Sequence, residues 1–119
     1  MSDPTTVVRT YIDMWNETDP ERRRELVAKA LTDDARYLDP IMAGHGTDEI
    51  SAMVGAAQEQ YPGHRFELVA GPEVHHDRVR FTWSLGSPDG KAIATGVDFA
   101  TTADDGRMRD VTGFLESAA

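Results

Sequence analysis

The apolar positions of this chain follow a helical period in its first half and a strand period in its second. Val8, Tyr11, Ile12 and Trp15 fall at i, i+3, i+4 and i+7, which is one stripe of a helix. Asp3 is placed to cap it, with Pro4 at the first position, where a missing N–H costs nothing. The polar Asn16-Glu17-Thr18-Asp19 breaks the stripe, and Asp19-Pro20 repeats the start signal for a second helix that buries Leu26, Val27, Ala30 and Leu31. Thr32-Asp33-Asp34 reads as its end, and a short extended run, Ala35-Arg36-Tyr37-Leu38-Asp39-Pro40, follows. Ala43-Gly44-His45-Gly46 reads as a loop and Thr47 as the cap of a third helix with Ile50, Met53, Val54 and Ala57 on its buried stripe; Pro62-Gly63 closes this half.

The second half is strand. Runs over 64–70, 74–85, 91–101 and 108–116 are separated by Gly71-Pro72, Ser87-Pro88-Asp89-Gly90 and Asp104-Asp105-Gly106, all rich in turn formers. Three helices followed by long antiparallel strands predict an α+β domain over 1–119, with the helices on one face of a curved sheet. Such a sheet, closed by helices, leaves a conical cavity suited to an apolar molecule. With a turn at Ser87 to Gly90, Leu85 pairs with Ala92, Trp83 with Ala94, Phe81 with Gly96 and Val79 with Asp98. Paired residues point to one face, so Val79, Phe81, Trp83 and Leu85 stand opposite small residues with Asp98 the only charge among them. Arg80, Thr82, Ser84, Ile93, Thr95 and Val97 fall on the other face, open to solvent or to a second subunit.

Composition narrows the partners. A net charge of −9 repels nucleic acid and anionic membranes, and Arg22-Arg23-Arg24, flanked by Glu21 and Glu25, reads as a solvated helix face. The chain has no cysteine, hence no disulfide and no thiolate metal site. The polar, acidic start carries no secretory signal, and a cytoplasmic protein is the expectation. No metal is expected: adjacent His75 and His76 point to opposite faces of a strand, so at most one of them enters a shared site.

Candidate chemistry gathers around Asp39. Proline at 40 forces its neighbour into an extended conformation and offers no N–H, so Asp39 belongs at a strand end, on the same face as Tyr37. A carboxylate there can serve as a general base, while Tyr11 and a neutral Asp98 can donate to an enolate oxygen. The plainer readings are a core tyrosine with its hydroxyl on a backbone carbonyl, a strand-end acceptor at Asp39, and Asp98 ionised against His75. His45, in its Gly-flanked loop, and Tyr37 are further acid/base candidates. Trp15, Met53, Val79, Phe81, Trp83 and Val111 are the expected pocket wall.

Several segments carry a family resemblance. Trp15-Asn16, Tyr37-Leu38-Asp39-Pro40, Pro62-Gly63-His64, His75-His76-Asp77, Arg80-Phe81-Thr82-Trp83, Gly96-Val97-Asp98, Asp105-Gly106-Arg107 and Gly113-Phe114 resemble the SnoaL-like proteins of the nuclear transport factor 2-like superfamily. That group includes polyketide cyclases. Val7-Val8-Arg9-Thr10-Tyr11 is similar to the first helix of bacterial ketosteroid isomerases, a system whose acid/base roles are well characterised. The resemblance puts their catalytic tyrosine at Tyr11, their base at Asp39 and their protonated aspartate near Asp98. It implies cofactor-independent isomerisation or aldol-type cyclisation of an apolar carbonyl compound, in a homodimer. The alternative is a non-catalytic binder of an apolar molecule.

Overall fold

The computed structural model describes residues 3–118. Helix α1 (Pro4–Asn16) and helix α2 (Pro20–Ala30) start as the caps predict: Asp3 accepts from the Thr6 N–H and Asp19 from the Arg22 N–H. Strand β1 (Leu31–Leu38) begins one residue after α2, so Thr32-Asp33-Asp34, expected to end the helix, lies inside the strand. A break in register between Leu31 and Arg36 accommodates those polar residues. The expected loop at Ala43 instead forms a short strand, β2 (Ala43–His45), antiparallel to β1. Helix α3 (Gly46–Gln60) follows at once; its cap position is His45, with no side-chain cap bond, rather than Thr47.

Four long strands complete the chain: β3 (Arg65–His75), β4 (Arg78–Gly86), β5 (Ala92–Thr102) and β6 (Met108–Ala118). The β3–β4 turn is at His76-Asp77, not at Gly71-Pro72. Gly71 sits instead at an irregularity within β3, where φ is +100° and a Cβ would lie 3.0 Å from the Arg80 carbonyl oxygen. Glycine tolerates both conditions, so the strand bends there and continues.

The six strands run in the order β2-β1-β6-β5-β4-β3, antiparallel except for β1 beside β6. All three helices pack on one face, as an α+β domain requires. The β4–β5 register is displaced by two residues from the expected one: Val79 pairs with Ala100, Phe81 with Asp98, Trp83 with Gly96 and Leu85 with Ala94. A bulge at Leu85/Gly86 takes up one of those two residues. Away from that bulge the two-residue slip keeps each side chain on its face, so the inner face survives although its partners change, whereas Ala92 pairs with Gly86 and leaves that face. Val8, Tyr11, Ile50, Val54, Val79, Phe81 and Val111 form the centre of the core, each almost wholly buried. Among the described residues no helix is long and apolar enough to cross a membrane.

Candidate active site

Between α1, α3 and the inner face of the sheet the core is incomplete. A cavity of about 240 Å³ remains, walled by Trp15, Phe66, Trp83 and Leu85, with Ile41 and Phe114 at its mouth. Tyr11, Tyr37, Asp39 and Asp98 also reach it. The four polar residues come from three elements: Tyr11 from the buried stripe of α1, Tyr37 and Asp39 from the end of β1, and Asp98 from the middle of β5.

Asp98 is only 2% exposed. Its Oδ2 accepts from the Tyr11 hydroxyl at 2.7 Å, and its Oδ1 from the Trp83 indole N–H at 2.9 Å. Burial pushes its pKa from the ordinary 3.8 up to about 6; the two hydrogen bonds oppose the shift, and the charge of Asp39 adds to it. Burial, and then the Asp98 charge, hold the Tyr11 phenol well above its usual range, so Tyr11 stays protonated. Tyr37 is raised likewise, by burial first and then by Asp98 and Asp39.

Asp39 is half-buried. Tyr37 donates to its Oδ2 at 2.6 Å, and the backbone N–H groups of Ile41 and Met42 donate to its Oδ1, each at 2.8 Å. Proline at 40 steers the chain into that turn, and the aspartate closes it, as Asx turns do. The carboxylate is therefore fixed in direction.

Asp98 and Asp39 approach each other across Gly113. This residue pairs with Asp98 in the β5–β6 ladder, and β6 also lies beside β1. A Cβ on Gly113 would stand 2.8 Å from Asp98 Oδ1, 3.3 Å from the Asp39 Cβ and 3.3 Å from the Tyr37 hydroxyl. Only glycine lets these three groups share one space. Gly96 does similar work for Trp83: a Cβ there would lie 2.3 Å from the indole Cζ2, so the missing side chain lets the ring lie flat across β5 with its N–H toward Asp98.

Trp15 and Trp83 stand in the cavity wall, whereas Met53, Val79, Phe81 and Val111 are packed in the solid core. Tyr11 bonds to a carboxylate rather than to a backbone carbonyl. His75 is exposed at the far end of β3, beside His76, and is no partner of Asp98. His45 is exposed on β2, along a separate groove with Arg36, Glu49 and Asp110. Among the described residues, no group of three His, Cys, Asp or Glu side chains is placed to hold a metal. Sequence reasoning passed over Gly113 and Gly96 as functional positions, and took Trp83 for wall rather than for a donor. A glycine inside a long strand was the available signal, since it marks a close approach.

The model of the SnoaL-like domain matches residues 8–111. The chain belongs to the SnoaL-like family. A SnoaL-like family protein from Agrobacterium tumefaciens strain C58, provisionally named an isomerase, has 44% identity to it; the alignment covers 98% of this chain and 100% of that one, with a TM-score of 0.91. A SnoaL-like protein from Jannaschia sp. CCS1, provisionally named a polyketide cyclase, has 19% identity over 94% of this chain and 86% of its own, with a TM-score of 0.71. A nuclear transport factor 2-like protein of unknown function from Exiguobacterium sp. 255-15 has 16% identity over 94% and 99%, at 0.72. The last two carry the fold alone, which this SnoaL-like chain shares. No protein of curated function matches it.

Proposed function

We propose that this SnoaL-like protein is a cofactor-independent enzyme that moves a proton on a compact, apolar carbonyl compound, with Asp39 as the base. The observation that carries this reading is the approach of two aspartates over Gly113 in the wall of an apolar cavity. Asp39 takes the proton alpha to the carbonyl, and the C–H electron pair becomes the enolate. Asp98 in its protonated form donates to the enolate oxygen, and Tyr11 holds Asp98 in place. The protonated Asp39 then returns its proton at another carbon, or the enolate carbon attacks a second carbonyl in an aldol step. The fold-level likeness to isomerases and cyclases agrees with this chemistry but does not specify it. The cavity is smaller than the usual range for drug-sized ligands, which favours compounds of one or two rings.

A binding role without catalysis is the second reading. It draws support from the protons of Tyr11, Tyr37 and Trp83, which are already committed to the two carboxylates. The deciding experiment follows α-proton exchange into deuterated water by NMR for a panel of cyclic ketones, small aromatic polyketides and ketosteroids. Enzymatic exchange that falls at least about a hundredfold in Asp39→Asn, with ligand binding retained, is the expected result. Exchange unchanged in Asp39→Asn ends the assignment of the base. Binding without exchange in the wild type establishes the second reading.

A further inference from the structure

A second cavity lies behind the first, where the α1–α2 junction meets α3 and the segment leading into β3. Trp15, Tyr61 and Phe66 wall both, but the second is larger, about 570 Å³, and more polar than the first. Asn16, Arg23, Gln58, His64 and Arg65 line it.

Arg23 is the anomaly in this cavity. It is 7% exposed, although its neighbours Arg22 and Arg24 are on the surface as the sequence pattern leads one to expect. Its Nη1 donates to the Glu17 carbonyl at 3.0 Å and to Gln58 Oε1 at 2.8 Å. Gln58 in turn donates to the carbonyls of Trp15 and Glu17, so this edge of the guanidinium ties the end of α1 to α3. The other edge is different. Nε is buried with no hydrogen-bond partner, and among the described residues Nη2 makes no hydrogen bond and no carboxylate pairs with the group. Gly55 makes the space for it: a Cβ there would lie 2.8 Å from Nη2.

A buried guanidinium with neutral partners on one edge and none on the other is costly in a protein. The Nε/Nη2 edge is a fork that matches two oxygens of a carboxylate or phosphate. Arg65 and His64 bring further positive or polar character to the same cavity, against the single carboxylate of Glu59. This local balance runs opposite to the net charge of −9.

We infer that the cavity at Arg23 is a binding site for a small oxyanion, a carboxylate or a phosphate group, held by the free edge of the Arg23 guanidinium. The site is separate from the two aspartates and does not rest on the proposed reaction. Because Nε is buried and Nη2 lies against Gly55, the guanidinium turns toward the cavity to present both atoms to the anion. Arg65 adds long-range attraction.

The test uses the whole chain at fixed pH, with sodium phosphate, sodium acetate and sodium chloride compared at equal ionic strength. Saturable stabilisation of several degrees by phosphate or acetate, absent with chloride, is expected, together with a displaced Arg23 Nε–H resonance in nitrogen-15 NMR. The stronger of the two oxyanions identifies the head group. Arg23→Lys keeps the charge but loses the fork, and should weaken binding at least about tenfold. Should that variant not fold, the Nε–H titration of the wild type and a several-fold weakening in the exposed Arg65→Ala decide the matter. The inference is overturned if phosphate and acetate act no differently from chloride, or if the Arg23 resonance stays put while they bind. Unchanged affinity in Arg23→Lys also overturns it.

Discussion

The ionisation of Asp98 should be visible in the stability of the whole protein. The perturbation is Asp98→Asn, which keeps the shape of the side chain and removes its charge. In the wild type the carboxyl titrates near pH 6 when folded, against an ordinary 3.8. A raised value means that the folded state holds the proton more tightly than the unfolded one. The stability contributed by the protonated carboxyl is thus fully present below the unfolded pKa and is lost as pH rises through the folded one. The gap between the two values corresponds to roughly 3 kcal/mol, of which roughly 2.4 kcal/mol falls between about pH 4 and about pH 7.5. Asparagine has no such dependence. Its amide can accept from only one of Tyr11 and Trp83 with its single oxygen, which costs about 1–2 kcal/mol at every pH and leaves the slope untouched. Urea unfolding of both proteins at half-unit pH steps therefore gives two curves that diverge: relative to wild type, Asp98→Asn gains about 2–3 kcal/mol on going from the acidic to the neutral end. Curves that stay parallel would refute the assignment of a burial-raised Asp98, and with it the proton donor in the proposed mechanism.

Gly113→Ala should force Asp98, Asp39 and Tyr37 apart, destabilise the protein by about 1–3 kcal/mol and reduce ligand binding and exchange together; chemical denaturation with a binding titration checks it. A symmetric homodimer is expected through the outer face of the sheet, where Val97 and Phe99 sit among Thr82 and Thr112, with Phe99 40% exposed. A monomeric mass by light scattering at micromolar protein would rule that out.

Much of the architecture was legible because local chemistry and tertiary packing agree in it. The Asp3-Pro4 and Asp19-Pro20 starts are strong signals, and the stripes at Tyr11 and Ile50 have the period of the helices they form. The Asp39-Pro40 strand end was legible for the same reason. The β3–β4 turn was not. Gly71-Pro72 has the composition of a turn, but the ladder on both sides of it holds β3 to β4, and the chain reverses five residues later at His76, a residue with no strong turn preference. Register was similarly hidden, since pairing Asp98 with Val79 or with Phe81 gives the same faces and the bulge at Leu85/Gly86 leaves no mark in composition. At the site, the sequence pointed to both aspartates that reach the cavity and to Tyr37 beside Asp39, but not to the donors that meet Asp98. Which donor meets Asp98 depends on Trp83 lying across Gly96, a contact between strands that no local pattern encodes.

The parallel pairing of β1 with β6 has a consequence for how the protein is made. During synthesis on a ribosome, β1 and its Asp39 emerge early, and β5 with Asp98 much later, yet neither can be seated against the other until β6 slides between them. The nascent chain must therefore keep one side of β1 open for most of translation, and one side of β5 open until β6 follows it. Strand edges left open in this way invite pairing with other chains. Synthesis that stalls shortly before β6 would yield a product with its helices and the β3–β5 meander in place, two further exposed edges and Asp39 parted from Asp98.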